Sequence, residues 1–213
     1  MKLRIEYYKK QVQKWPKEGY HLMAQYNDEE VIVYQSYRKA IGHFAVENQR
    51  FGGPFSLDRM TWIKPNFLWM MYRNGWGQKE GQEVVLAIHL RRKAFENYLV
   101  QSVYSTYDLT QYGDGDREKW KEEVAKSSAR LQWDPDHDPY GDKLPRKAIQ
   151  IGLRNDLIKS YAKEDILEIE DISDFVAEQF EFVMAKDLDK LMTPAEQPLI
   201  FDDPELNKHL KLQ

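Results

Sequence analysis

RMTWIKPNFLWMMYRNGWG, residues 59–77, is the stretch on which the reading of this chain turns. Thr61, Trp62 and Ile63 are residue types that favour extended backbone, so Met60–Ile63 reads as a short strand ending at Lys64-Pro65. A proline carries no N–H and has its φ already set for a first helical turn, so a helix over Asn66–Arg73 is expected to follow. Gly75 and Gly77 then close it. On the strand, Arg59, Thr61 and Ile63 face one way, and Met60, Trp62 and Lys64 the other. Lys64 stands just before a helix N-terminus, whose unpaired N–H groups and positive dipole end suit an anion. On the helix, Phe67, Met70 and Met71 form an apolar stripe expected to pack in a core. Trp69, Tyr72, Arg73 and Trp76 form an adjoining stripe able to stack a ring beside a positive charge.

Upstream, His21–Gln25 and Val31–Tyr37 read as strands about a turn of Asn27-Asp28-Glu29-Glu30. Lys39–Gln49 has helical spacing and stops at the loop Phe51-Gly52-Gly53-Pro54. Alternation along the second strand puts Tyr34, Ser36 and Arg38 on one face, and Gln35 and Tyr37 on the other. Downstream, Glu83–Leu90, Ala129–Trp133, Ala148–Leu153 and Ile166–Ile169 read as strands. Lys93–Val100, Asp116–Ser127 and Ile172–Ala185 read as helices, and Asp134–Asp142 as a loop. The strands are short and do not alternate strictly with helices. That pattern favours an α+β fold of mixed or antiparallel strands with packed helices. One domain is expected over residues 1–192. Pro194, Pro198 and Pro204 mark 193–213 as an extended tail.

The composition narrows the function. The 213 residues include no cysteine, which excludes disulfides, thiolate nucleophiles and Cys-bound metals and fits a reducing, cytoplasmic setting. No apolar run is long enough for a membrane span, and no secretory signal opens the chain. Net charge is −4, but unevenly spread. Residues 59–93 carry seven Lys/Arg against two Asp/Glu, and 164–213 carry four against fourteen, so phosphate attraction belongs to the middle of the chain. There is no Gly-rich phosphate loop, HExxH or GxSxG motif. His137, flanked by Asp134, Asp136 and Asp138, invites two readings: a general base or divalent-ion loop, and a rigid turn whose carboxylates cap backbone N–H groups. The turn is the expectation, and no metal is assigned.

The stretches AQYNDEEVIVYQSY (24–37), residues 50–77, RLQWDPDHDPYGDKLPRKAIQIGLR (130–154) and DISDFV (171–176) together resemble the family known as domain of unknown function 4291. More distantly, the order of strand 31–37, helix 40–49, Gly-containing loop 51–53 and strand 60–63 resembles ADP-ribosyltransferase-like domains. That second resemblance implies a split α+β sandwich that cradles NAD and transfers ADP-ribose through an oxocarbenium-like state. It also implies a carboxylate on a later strand, with Glu168 and Glu170 as candidates. The expectation is a nucleotide-binding enzyme of that kind, with Gln35, Glu168 and His137 in the chemistry. Arg38, Arg59, Trp62, Lys64, Trp69 and Arg73 would bind NAD, with Arg59 and Lys64 holding its pyrophosphate. Two rivals stand beside it. One is a non-catalytic nucleic-acid-binding module using Trp69, Arg73 and Trp76. The other is a metal-assisted enzyme using the Asp134–Asp138 loop.

Overall fold

A computed structural model describes residues 1–113 and 115–212. The chain begins with β1 (Ile5–Tyr7), α1 (Tyr8–Val12), β2 (Gly19–Tyr20) and β3 (Met23–Ala24). β4 (Glu30–Tyr37) leads into α2 (Lys39–Asn48), and β5 (Thr61–Ile63) into α3 (Phe67–Asn74). β6 (Val84–Arg91) and α4 (Arg92–Val100) precede β7 (Ser102–Tyr104), α5 (Leu109–Tyr112) and α6 (Arg117–Lys126). The hairpin of β8 (Ala129–His137) and β9 (Lys143–Leu153) is followed by α7 (Asn155–Ser160), one π-helical turn, β10 (Ile166–Asp171) and α8 (Ser173–Met184). β11 (Met192–Pro194), β12 (Gln197–Pro198) and α9 (Pro204–His209) complete it.

This is the α+β class that short, irregularly spaced strands lead one to expect. Two sheets form the body. In one, β6 lies between β4 and β10, all antiparallel. In the other, β9 pairs with β8 along one edge, with β7 beyond. Along its other edge β9 pairs with β2 at its first half and with β5 at its last. β6 is buried on both faces, which is why VVLAIHL reads as a continuous apolar run instead of an alternating one. β4 splits its residues between two cores. Val31 and Val33 join Ile63, Leu131 and Ile151, while Ile32 and Tyr34 join Phe67, Met70 and Met71 of α3. The apolar stripe expected on that helix is therefore core. Asn66 caps it by accepting from the Trp69 N–H at 2.7 Å, and Gly75 ends it at φ 59°.

The sheets meet at β4 and β5, which share a single bridge: Tyr34 N–H donates to Lys64 C=O at 2.7 Å. Past it the strands part, and the Gln35 side chain fills the joint. Its Nε2 donates to Thr61 Oγ1 at 2.7 Å and to the Trp62 carbonyl at 3.1 Å, and its Oε1 accepts from the Tyr161 hydroxyl.

Two segments differ from the sequence reading. β8 does not stop at Trp133 but runs through Asp134-Pro135-Asp136 to His137. Its register against β9 shifts between Pro135 and His137, and a bulge there tolerates the missing proline N–H. The segment 193–213 is not an extended tail. β11 pairs with β1, β12 with β3, and Leu199, Phe201, Leu206 and Leu210 are buried in the larger core. Pro194 and Pro198 lie in short two-stranded pairings, and Pro204 takes the first turn of α9, places where a missing donor costs little. The last residue, Gln213, lies outside the described residues.

Candidate functional site

The sequence-nominated residues fall into two groups at opposite ends of β5. The first group lies where β4 and β5 diverge. Arg38 follows the end of β4, and Arg59 precedes β5. Both line an open cleft of about 400 Å³, with Tyr37, Ile41, Phe55, Ser56 and Thr61 among the other walls. Both arginines are exposed, and neither guanidinium has a hydrogen-bond or ion-pair partner among the described residues. Tyr37 OH and Thr61 Oγ1 share a hydrogen bond of 2.9 Å at the back of the cleft. Tyr37 also packs edge-on against Phe51 and Phe55. Burial raises the Tyr37 pKa, so it stays a neutral phenol and offers a hydrogen bond, not a negative charge.

Gln35 backs this cleft but does not enter it. It is buried and both ends of its amide are engaged in the joint, so it positions Thr61 and has no group free for chemistry. Lys64 is absent from the lining. It is buried at the other end of β5 from Arg59, with Thr61, Trp62 and Ile63 between them. The two cations therefore do not clamp one pyrophosphate, contrary to expectation. Glu168 is exposed on β10, the outer strand of its sheet, two strands from β4. Glu170 accepts from His89 Nε2 at 2.6 Å, and His89 Nδ1 lies 2.8 Å from Glu30. No carboxylate lines the cleft among the described residues.

The second group lies where α3 crosses the end of β8. Continuing the β5–β9 register sets Lys64 beside Gln150, on the face that also carries Trp62, Gln132 and Asp134, all four half-buried. Trp62 packs against Gly152, where a Cβ would come within 3.1 Å of its ring and 2.7 Å of Met60 Sδ. Asp134 accepts from Gln132 Nε2 at 2.9 Å and from Gln150 Nε2 at 2.8 Å. The Lys64 amine is buried, donating only to the Trp62 carbonyl at 3.3 Å. Burial first, then the positive charge of Arg73, lowers its pKa to about 8, with Asp134 pulling the other way.

The helix N-terminus beside Lys64 is already filled. Glu196 Oε1 accepts from the Phe67 N–H at 2.6 Å and Oε2 from Asn66 Nδ2 at 3.2 Å. The segment read as a tail thus supplies the carboxyl group that fills this end, and burial raises its pKa well above the usual carboxylate range. Trp69 is buried, not presented to a ligand: its ring stacks on Tyr72 (5.4 Å) and His137 (5.2 Å), and Tyr72 covers His137 at 3.6 Å. Trp76 is buried too, donating to the Pro139 carbonyl at 3.1 Å. Of that stripe only Tyr72 and Arg73 reach solvent.

His137 is buried with neither ring nitrogen hydrogen-bonded among the described residues, and burial lowers its pKa. It is neutral but sealed, which removes it as a general base open to substrate. The divalent-ion reading fails on the same segment. Asp134 is held by two glutamines, Asp136 by Arg146, and Asp138 caps the N–H groups of Tyr140 and Asp142 at 2.9 Å each. No cluster of three or more potential metal ligands occurs among the described residues.

Sequence reasoning missed Tyr37 and Thr61 as cleft residues, Asp136–Arg146 as a buried pair, and Glu196 as the acceptor at the helix end. Alternation along β4 already put Tyr37 beside Gln35. Nothing local signals Glu196, which is 129 residues from the N–H it accepts.

Fold and site together define an α+β protein of two sheets joined at one bridge, with a cationic cleft where they part. The chain belongs to the family described as domain of unknown function (DUF4291), whose model matches residues 21–199. Both groups of residues lie within that span. No curated protein matches the chain. Among the described residues no helix is long and apolar enough to cross a membrane.

Proposed function

We propose that the chain is a nucleotide-binding enzyme that takes up NAD in the Arg38–Arg59 cleft and acts as an ADP-ribosyl transferase. One observation carries the binding half of this reading: two unpartnered guanidinium groups converge on a cleft large enough for a mononucleotide portion of the ligand. Arginine forks pair with phosphate oxygens through two parallel N–H bonds, so Arg38 and Arg59 would take the diphosphate. The Tyr37–Thr61 hydroxyl pair suits ribose hydroxyls, and Phe55 and Ile41 provide apolar wall for a ring. Transfer would break the bond between ribose C1′ and the nicotinamide nitrogen and join C1′ to an acceptor nucleophile. The arrangement of β4, α2, the Gly52-Gly53 loop and β5 around the cleft supports that half by analogy alone. Because the cleft lining contains no carboxylate, binding is the better supported half.

The test is thermal unfolding with NAD, ADP-ribose or a short single-stranded oligonucleotide. A ligand at about 100 times its dissociation constant adds roughly 2.7 kcal/mol, worth about 5–10 °C in a chain this long. The expected result is a shift with NAD and ADP-ribose that is lost in Arg38→Ala and Arg59→Ala. Both side chains are exposed, so the unliganded variants should melt as the parent does. A shift only with the oligonucleotide, or one indifferent to both substitutions, overturns the reading. Nicotinamide release from NAD, measured separately, tests the transfer half.

A further inference from the structure

A smaller cavity, of about 140 Å³, lies where β7 ends beside β8. Its walls include Tyr20 of β2, Tyr104 of β7, Tyr107 and Asp108 of the loop that follows, and Leu131 and Trp133 of β8. It shares no residue with the Arg38–Arg59 cleft. Tyr20 meets Trp133 edge-on, with ring centroids 5.3 Å apart. Asp108 is the one charged side chain in this lining among the described residues. Its Oδ1 caps α5, accepting from the Thr110 N–H at 2.9 Å and from the Thr110 hydroxyl at 2.6 Å, and its Oδ2 accepts from the Lys211 amine. That ammonium also stands 5.6 Å from the Tyr20 ring centroid and 5.4 Å from that of Tyr104, within cation–π range. A carboxylate and two aromatic rings thus surround one cation, the arrangement by which aromatic cages hold organic ammonium groups.

The cation in the cage is held by an unusual piece of backbone. Lys211 N–H donates to the Lys208 carbonyl at 3.0 Å and Leu212 N–H to the Asn207 carbonyl at 2.9 Å, closing α9 with a turn in which Lys211 has φ 58°. That position favours glycine, because a Cβ is strained there. The Tyr104 hydroxyl donates to the His209 carbonyl at 2.7 Å and fixes this helix end beside β7. The backbone therefore works against a lysine at 211, and what the residue contributes is the ammonium it delivers to Asp108. The cavity beside that ammonium stays open.

We propose that this cavity binds a small primary alkylamine in its ammonium form, and that Lys211 is the tethered group the ligand displaces. The ligand ammonium takes over the Asp108 Oδ2 hydrogen bond and the Tyr20 and Tyr104 rings, and its alkyl chain enters the cavity against Tyr107, Leu131 and Trp133. The volume suits a short alkylamine and is too small for a nucleotide. A tethered group competes at an effective concentration of about the millimolar order, so the parent binds the amine only through the fraction of molecules in which Lys211 has left Asp108. The site uses none of the residues that carry the NAD reading, and its fate is independent of it.

The experiment is calorimetric titration of the full chain at pH 7 with n-butylammonium and, separately, with 1-butanol, its neutral analogue. The variants are Lys211→Gly, which removes the competitor and suits the φ of 58°, and Asp108→Asn in that background, which removes the charge while keeping a residue able to cap α5. Melting temperatures confirm that each variant is folded. The expected result is that Lys211→Gly binds butylammonium about tenfold or more tighter than the parent does, and at least about tenfold tighter than it binds butanol. Asp108→Asn should weaken butylammonium about tenfold and leave butanol unchanged. No binding by Lys211→Gly, equal binding of the amine and the alcohol, or indifference to Asp108→Asn overturns the ammonium site. Equal affinity of the parent and Lys211→Gly for butylammonium overturns the role of Lys211 as its competitor.

Discussion

Replacing Arg146 by Met tests what holds the β8–β9 hairpin beneath the α3 site. Arg146 and Asp136 are an ion pair almost sealed from solvent, with side chains 3% and 0% exposed. Arg146 Nε and Nη2 both reach Asp136 Oδ2, at 2.8 and 2.5 Å, and Nη1 donates to the Pro16 carbonyl at 2.9 Å. The guanidinium also lies 5.1 Å from the Trp15 ring centroid. Met preserves much of the buried stem but leaves the Asp136 carboxylate with one donor, its neighbour's N–H at 2.8 Å. Breaking a buried pair from one side costs about 3–5 kcal/mol, because the surviving charge stays desolvated. A domain of this kind is stable by about 5–15 kcal/mol, so the loss is a large share of the total. Urea unfolding at pH 7 should show a lower midpoint with an unchanged slope. The double variant Asp136→Leu with Arg146→Met removes both charges and should recover most of the loss. A cost below about 1 kcal/mol for Arg146→Met, or a double variant weaker than the single, would refute the account of this pair as a desolvated charge couple.

The other expectations concern β5. Lys64 has a folded pKa of about 8 against 10.5 for the ordinary group, so between those pH values the folded protein binds fewer protons than the unfolded chain and stability rises with pH. The penalty is fully present below pH 8, so Lys64→Met should gain up to about 3 kcal/mol at pH 7, with the gain fading towards pH 10.5; a gain independent of pH would show that packing, not charge burial, is responsible. Gly152→Ala puts a methyl 2.7 Å from Met60 Sδ and 3.1 Å from the Trp62 ring, so it should cost about 1–3 kcal/mol and shift Trp fluorescence, and an unchanged spectrum would mean that Trp62 does not pack against that glycine.

The strand–helix unit at 60–74 was readable because its signals are local: β-favouring residues, a proline at the first turn, an apolar stripe and a closing glycine. The same signals place Arg38 and Arg59 at the ends of strands beside loops, where both are exposed and line the cleft. What escaped the sequence was every feature decided by a distant partner. Glu196 fills the α3 N-terminus across a chain separation of 129 residues, which no local pattern announces. Trp69 carries the composition of a ring-stacking surface, but a buried His137 supplies the ring from within the chain. The strand β8 was cut short at Asp134 because aspartate and proline are turn residues. The long partner β9 and a bulge override that preference. The prolines of the last twenty residues misled in the same way, since short edge pairings and a helix start absorb them.

β5 is three residues long, yet it holds the cleft in place, and its anchoring explains how. A strand that short has little stability of its own. It is fixed instead by three attachments: the ladder to β9, the Tyr34–Lys64 bridge at its end, and the Gln35 amide across its middle. The ladder comes from β9 and the other two attachments from adjacent residues of β4, so opening either neighbour alone leaves the strand held by the other. Thr61 at one end and Lys64 at the other are thereby held rigidly, while the side chains expected to meet the ligand, Arg38 and Arg59, are exposed and free to adjust. Positioning groups fixed by buried hydrogen bonds, with mobile charges at the rim, is the division that preorganised sites require. Weakening the joint should therefore disturb the cleft. Gln35→Leu removes the amide that spans the gap and leaves the Tyr161 hydroxyl without its acceptor, at a cost of about 1–3 kcal/mol, while Thr61 Oγ1 keeps Tyr37 and the Trp62 carbonyl keeps Lys64. If NAD binding falls in that variant as it does in Arg59→Ala, the cleft takes its geometry from β5. If Gln35→Leu leaves NAD binding untouched, the cleft owes its geometry to something other than this strand.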